Sequence, residues 1–257
     1  MSEISAAPRT QGDALVPVVG AATDVGRSRP VNEDGYLALA PAFVVVDGMG
    51  GHAAGRAATR AALGALAPLA GTAVTDERVI VEAMLAAGEA VTAIPSHAAH
   101  RPGATVAGAV LAHLPDGLTW ITFNIGDSRV YLMRDGVLTQ MSRDHSQVQA
   151  LIDAGELTAD QARRDPRKNV VTRALGAGLN QEAVPDTFTA PALCGDRLLV
   201  CSDGLSDELD DEALLTVLDA GMRPQRTAEA AVAAALEAGG HDNATALVVD
   251  LVPESAL

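Results

Sequence analysis

Aromatic residues make up only 2% of this 257-residue chain, so its 48% of hydrophobic residues must build a core from Ala, Val and Leu rather than stacked rings. Small side chains suit elements that approach closely. Cysteine is scarce too: Cys194 and Cys201 stand on either side of one strand-like run, without metal-ligand spacing. That excludes a disulfide framework and a cysteine zinc site, and predicts two buried free thiols in a reducing compartment. Basic residues are outnumbered, with 18 Lys and Arg against 33 Asp and Glu and a formal charge of -15. Nucleic acids and anionic membranes need a basic face, so neither is an expected partner. Long apolar runs are also missing. The longest uncharged stretch, 61–75, is broken by Gly64, Pro68 and Gly71, and the first residues lack the basic and apolar parts of a leader. A cytoplasmic protein is expected.

What is present divides into regular pieces. A loose tail is expected over 1–14, followed by a single domain over 15–257, a length able to bury a large core. Hydrophobic periodicity predicts strands at 15–23, 34–40 and 42–47, then Ala-rich helices at 52–68 and 76–94. "ATVAGAVLAH", "LTWITFNIG" and "RVYLMRDG" follow as strands, which together suggest an antiparallel meander. Residues 144–176 turn polar, with short helical pieces and the basic cluster Arg163, Arg164, Arg167 and Lys168. They suggest a flap-like excursion on the substrate side. Strands return at "DTFTA" and "DRLLVCSD", helices at 211–220 and 225–238, and a last strand at "ATALVVDLV". Strands bunched between helices, without βαβ alternation, imply an α+β layered domain with mainly antiparallel sheets and outer helices.

Carboxylates recur where strands run out. Asp47 ends "FVVVD", Asp127 follows "TFNIG", Asp203 follows "LLVCS", Asp242 precedes the last strand, and Glu33 and Asp34 begin the second. A single Asp-Gly is ordinarily a turn bonding its own backbone. Five such places are harder to dismiss, because two carboxylates about 5 Å apart repel by roughly 3 kcal/mol at an effective dielectric near 20. A cluster would need cations, and oxygen ligands without cysteine or an HExxH pattern favour Mg²⁺ or Mn²⁺. Arg29, on the same N-terminal segment, offers a fixed charge with the fork geometry that suits phosphate.

The ordered strings "TDVGRSRPVNED", "VVVDGMGGHAAG", "FNIGDSRVYLMRDG", "DHS", "NVVTRALG", "LLVCSDGLSDEL" and "HDNATALVV" resemble the motifs of bacterial metal-dependent serine/threonine phosphatases of the PPM, or protein phosphatase 2C, type. The resemblance implies a four-layer α/β/β/α sandwich of two central antiparallel sheets flanked by helices. It implies Asp47 as a carboxylate bridging two Mn²⁺ or Mg²⁺ ions, Gly48 as a carbonyl ligand, and Asp203 and Asp242 as further ligands. Glu33 and Asp34 match acidic positions acting directly or through water, Arg29 the phosphate-binding arginine, and Asp127 a position associated in bacterial members with a third ion. Asn243 is either an orienting residue or a turn residue. Animal-type members place a histidine directly after Asp-Gly, whereas here Met49, Gly50 and Gly51 come before His52. His52 is thus balanced between proton donor and helix-start residue, whereas His145 and His241 read as structural residues before proton donors.

The implied activity is hydrolysis of phosphoserine or phosphothreonine in proteins by a metal-activated water, by a monomer opposing a cognate serine/threonine kinase. The alternative is a noncatalytic phosphoprotein-binding module on the same fold, against which the retained acids argue. A calcineurin-like metallophosphoesterase would need a second acid that "GDSRV" lacks.

Overall fold

The computed structural model describes residues 14–51, 53–95, 101–178 and 183–257. All but the last residue of the expected tail lies outside them.

The strand Ala42–Met49 (β3) shows how the layers arise. Its side chains alternate between two apolar environments, so both faces are buried and the sequence is a continuous apolar run. Ala42, Val44 and Val46 pack into one core, whereas Phe43 and Val45 pack into another. Gly103–Leu114 (β4) repeats the pattern, with Val106 and Val110 on the first side and Ala107 and Ala109 on the second. The first core is closed by helices Ala53–Leu66 (α1) and Arg78–Thr92 (α2), whose buried residues Ala58, Ala62, Leu66, Ile80, Met84 and Val91 follow helical spacing. The second is closed by another sheet.

That other sheet buries Leu198 and Val200 of Arg197–Cys201 (β10) and Leu247 and Val249 of Ala244–Pro253 (β11) inward. Its outward side chains, Leu199, Cys201, Ala246 and Val248, join a third core with helices Asp211–Leu218 (α6) and Pro224–Ala238 (α7). Helix, sheet, sheet and helix thus stack in four layers, as the resemblance implied. With Leu15–Asp24 (β1), Gly35–Leu39 (β2), Gly117–Ile125 (β5), Arg129–Arg134 (β6), Val137–Gln140 (β7) and Asp186–Pro191 (β9), the orders are β1-β11-β10-β6-β7 and β2-β3-β4-β5-β9. All these pairings are antiparallel.

The expected meander is corrected. β4 and β5 pair, but β6 crosses to the other sheet and lies between β10 and β7. The corner is Gly126 at φ 103°, where a Cβ would collide with Thr105. A Gly-Asp pair that looks like a hairpin turn is therefore the point where the chain changes sheets.

The 144–176 excursion contains Gln147–Asp153 (α3), capped by the Ser146 hydroxyl, and Ala159–Ala162 (α4), opened by a Thr158/Gln161 capping box. It returns through Leu175–Gly176 (β8), which pairs with β4. Cys201 is buried, but Cys194 is exposed in the turn before β10, which corrects the expectation of two buried thiols.

Candidate metal centre

Two strands that end on buried apolar cores deliver carboxylates to one rim. Asp47 follows Val46 on β3, and Asp203 follows β10 at the start of Asp203–Ser206 (α5). Asp34 precedes β2 and Asp242 precedes β11. Burial raises the carboxyl of Asp47 well above its usual range, and the charges of Asp34, Asp203, Asp127 and Asp242 raise it further. Burial likewise pushes Asp34 up to about 7, against hydrogen bonds from Thr245 and Ser202. Asp203 is pushed up to about 6 by burial and by Asp207 and Asp242, while a hydrogen bond with Asp47 pulls the other way. Asp127 is raised by burial, then by Asp203 and Asp144. The sequence-predicted acids Asp34, Asp47, Asp127, Asp203 and Asp242 thus share one electrostatic neighbourhood.

Their supporting contacts fix this arrangement. Asp34 Oδ2 accepts from Thr245 Oγ1 at 2.6 Å and Ser202 Oγ at 2.8 Å, so the ends of β10 and β11 hold it. Thr59 of α1 donates to the Glu33 carbonyl at 2.6 Å. A Cβ on Gly48 would collide with the Gly55 carbonyl and the Thr59 hydroxyl, and one on Gly55 with the Glu33 carboxylate. The two glycines therefore let β3, α1 and Glu33 meet at backbone distance, which places Gly48 beside the acids.

Asn243 proves to be an organiser of this loop. Its Oδ1 accepts from the Glu33 N–H at 2.8 Å, and its Nδ2 donates to the carbonyls of Val25 at 2.8 Å and Val31 at 3.0 Å. The segment carrying Arg29, Glu33 and Asp34 is thereby tied to Asp242. Arg29 Nη2 lies 2.6 Å from Asp242 Oδ2, with the arginine side chain 49% exposed. Ser202, Thr245, Thr59 and Asn32, whose amide donates to Thr23 Oγ1 at 2.8 Å, were missed by sequence reasoning. Hydroxyl and amide residues near strand ends are too common to signal such a role alone.

Asp127 is held differently. His145 Nδ1 accepts from the Gly126 N–H at 3.0 Å, and the His145 N–H donates to the Gly126 carbonyl at 2.8 Å. The other ring nitrogen, Nε2, lies 2.7 Å from Arg173 Nη1 and 3.1 Å from Asp186 Oδ2, so the ring is wedged into the Arg173–Asp186 ion pair. Burial lowers the pKa of His145, with Arg173 lowering it further. Its place is structural. His241 is also a supporting residue, with Nδ1 2.7 Å from Glu208 Oε1. His52 lies outside the described residues.

Three of the four basic residues of the excursion are engaged by neighbours, while Arg164 is exposed to solvent. Lys168 Nζ lies 2.7 Å from Asp207, beside Asp203, and Arg167 pairs with Asp165 at 2.8 Å. Arg163 Nη1 donates to the Ser206 carbonyl at 3.4 Å.

These residues fit a hard divalent cation. The donors are oxygens only, and Glu33 Oε1, Asp34 Oδ1 and Asp203 Oδ1 are buried without any hydrogen-bond partner. Among the described residues, no three His, Cys, Asp or Glu side chains stand placed to hold an ion between them. Like charges with a raised proton affinity would not close on one another without a cation between them. Thiol chemistry is not poised here, since burial pushes the Cys201 thiol up to about 12.

A two-sheet sandwich with an all-oxygen acidic rim and a neighbouring arginine defines a class of metal-binding α+β proteins. The chain belongs to the protein phosphatase 2C family, whose model matches residues 31–238. It is 37% identical over 246 residues to the serine/threonine protein phosphatase PstP of Mycobacterium tuberculosis, covering 93% of this chain and 46% of that protein. It thus spans about half the length of that relative. The serine/threonine phosphatase stp of Listeria monocytogenes is 33% identical over 249 residues, covering 89% of this chain and 93% of that protein. A crystal structure of the PstP catalytic domain in complex with two manganese ions superposes with a TM-score of 0.83 at 36% identity, covering 93% of this chain and all of that one.

Proposed function

We propose that this chain hydrolyses phosphoserine and phosphothreonine esters in proteins, with Asp47, the Gly48 carbonyl, Asp203 and Asp242 holding two Mn²⁺ or Mg²⁺ ions, and Glu33 and Asp34 acting directly or through water. The observation that carries this reading is the convergence of mutually repelling buried carboxylates and three partnerless oxygens beside Arg29. Bound ions would supply charge neutralisation and lower the pKa of a coordinated water. The protein's own part is positioning. Ser202 and Thr245 orient Asp34, and Asn243 sets the loop that aims Arg29. The half-exposed guanidinium of Arg29 is placed to take phosphoryl oxygens and to hold their developing charge.

Asp127 and Asp203 line one cavity, which supports a third and weaker ion between them. His52 stays a proton-donor candidate on motif grounds alone. The substrates would be phosphoproteins of a cognate serine/threonine kinase, met by a monomer in the cytoplasm; both cysteines are free, which agrees with a reducing compartment. No described helix is long and apolar enough to cross a membrane.

The test is turnover of para-nitrophenyl phosphate and of a phosphothreonine peptide. Activity should need Mn²⁺ or Mg²⁺, vanish in EDTA and survive thiol alkylation. Full activity after exhaustive chelation would overturn the reading.

A further inference from the structure

A cavity of about 400 Å³ lies between the 144–176 excursion and the α5–α6 turn. Its lining runs from the rim acids Asp127 and Asp203 to Asp160 of α4 and Asp211 and Glu212 of α6. Eight carboxylates line it, and apart from Asp127 and Asp203, which belong to the rim assigned to ions, six of them face three cations, Arg129, Arg163 and Lys168. Two of those cations are already neutralised, Arg129 by Asp144 at 2.6 Å and Lys168 by Asp207 at 2.7 Å. Arg163 is turned to the Ser206 carbonyl. Ser206, only 2% exposed, lines the same wall, and its hydroxyl has no hydrogen-bond partner.

Part of this acidity has a local cause. Asp210 caps α6 through the Ala213 N–H at 2.9 Å, and Asp211 and Glu212 stand in the first turn of α6, where a carboxylate offsets the positive helix end, as Asp160 does at the start of the short α4. Capping explains each acid on its own helix. It does not explain why two helix starts line one cavity with excess negative charge, or why a buried hydroxyl there lacks a partner. The space far exceeds a single ion, since one water takes only about 30 Å³.

We propose that this cavity binds an arginine or lysine side chain of the phosphoprotein, close in sequence to the phosphorylated residue. This rests on the phosphatase reading and names its substrate class. The basic side chain would enter beside the rim, meet Asp160 and Glu212 with its charge, and donate to the Ser206 hydroxyl. A phosphoresidue flanked by a cation would thereby be held at two points, its phosphate at the rim and its basic neighbour in the acidic cavity.

The experiment uses the Mn²⁺-loaded protein and fluorescent peptides carrying a non-hydrolysable phosphonate mimic of phosphothreonine, with arginine or glutamine at each flanking position in turn. Anisotropy should show one or more arginine positions binding roughly fivefold tighter than their glutamine counterparts, a preference that fades with salt. The double substitution Asp160→Asn with Glu212→Gln changes two exposed residues, so folding is preserved and checked by near-UV circular dichroism. It should erase the preference while para-nitrophenyl phosphate turnover is unchanged. No arginine preference at any position, or a preference that survives the double substitution, would overturn the proposal. Absent turnover alongside an intact preference would sink the phosphatase reading alone.

Discussion

Only one nitrogen of the Arg29 guanidinium, Nη2, is engaged among the described residues, 2.6 Å from Asp242 Oδ2, so a phosphate can take the free N–H groups and compete with Asp242 for the rest. That competition is winnable. With side chains 49% and 29% exposed, the pair is worth at most about 1 kcal/mol, whereas each charge-assisted bond to a phosphoryl oxygen is worth about 1.5–3 kcal/mol. Arg29→Ala should therefore lower kcat/KM by roughly 100-fold while leaving the bound Mn²⁺ content unchanged. Unaltered kinetics on aryl phosphate and phosphopeptide alike would remove Arg29 from the site. Asp47 presents the opposite case, because its charge is a burden without a cation. Asp47→Asn should abolish turnover, yet raise the melting temperature of chelated protein by roughly 2–4 °C for each kcal/mol of repulsion relieved. A melting temperature that falls instead would mean that the Asp47 carboxylate stabilises the metal-free fold.

At the scale of elements, the corner between β5 and β6 shows where sequence was legible and where it was not. The buried strands could be read because fully apolar runs such as "FVVV" have few other places to go, and the ends of β1, β3 and α7 fall within two residues of expectation. β7 could not, since its four residues are partly exposed and mixed in polarity, and nothing in "GVLTQ" marks an edge strand. The sheet exchange at Gly126 was equally hidden, because its cause is Thr105, a residue distant in sequence. For the site, the acids at strand ends were visible individually. Their brace of Ser202, Thr245 and Asn243 is visible only once the strand register brings it together. His145 belongs to the same layer of support. His145→Ala would leave the buried Gly126 N–H without its partner, at a cost of about 1–3 kcal/mol. The urea midpoint should fall accordingly, and an unchanged midpoint would mean that water replaces the ring.

Over the whole molecule, stability without cations should run against the usual trend with pH. Asp34 at about 7 and Asp203 at about 6 bind protons more tightly folded than unfolded, where a carboxylate titrates near 4. Between these values the native state holds more protons than the unfolded chain, so raising the pH withdraws stability. This penalty is absent below about pH 4 and complete above about pH 7. Buried carboxylates usually gain a partner on folding and show the reverse slope; here the partners are other carboxylates. Chelated protein should therefore melt higher at pH 5 than at pH 7.5, although His145, whose depressed pKa favours the neutral form, opposes this below its unfolded value of about 6.5. Two aspartates stand against one histidine, and burial and neighbouring carboxylates raise both aspartates, so the net slope follows them. Mn²⁺ competes with those protons, so the same excess of metal should raise the melting temperature more at pH 7.5 than at pH 5. Differential scanning calorimetry across that range, with EDTA and with Mn²⁺, reads both slopes. A chelated protein that gains stability from pH 5 to pH 7.5, with a Mn²⁺ increment independent of pH, would show that the rim's carboxylates are not held together against their own repulsion.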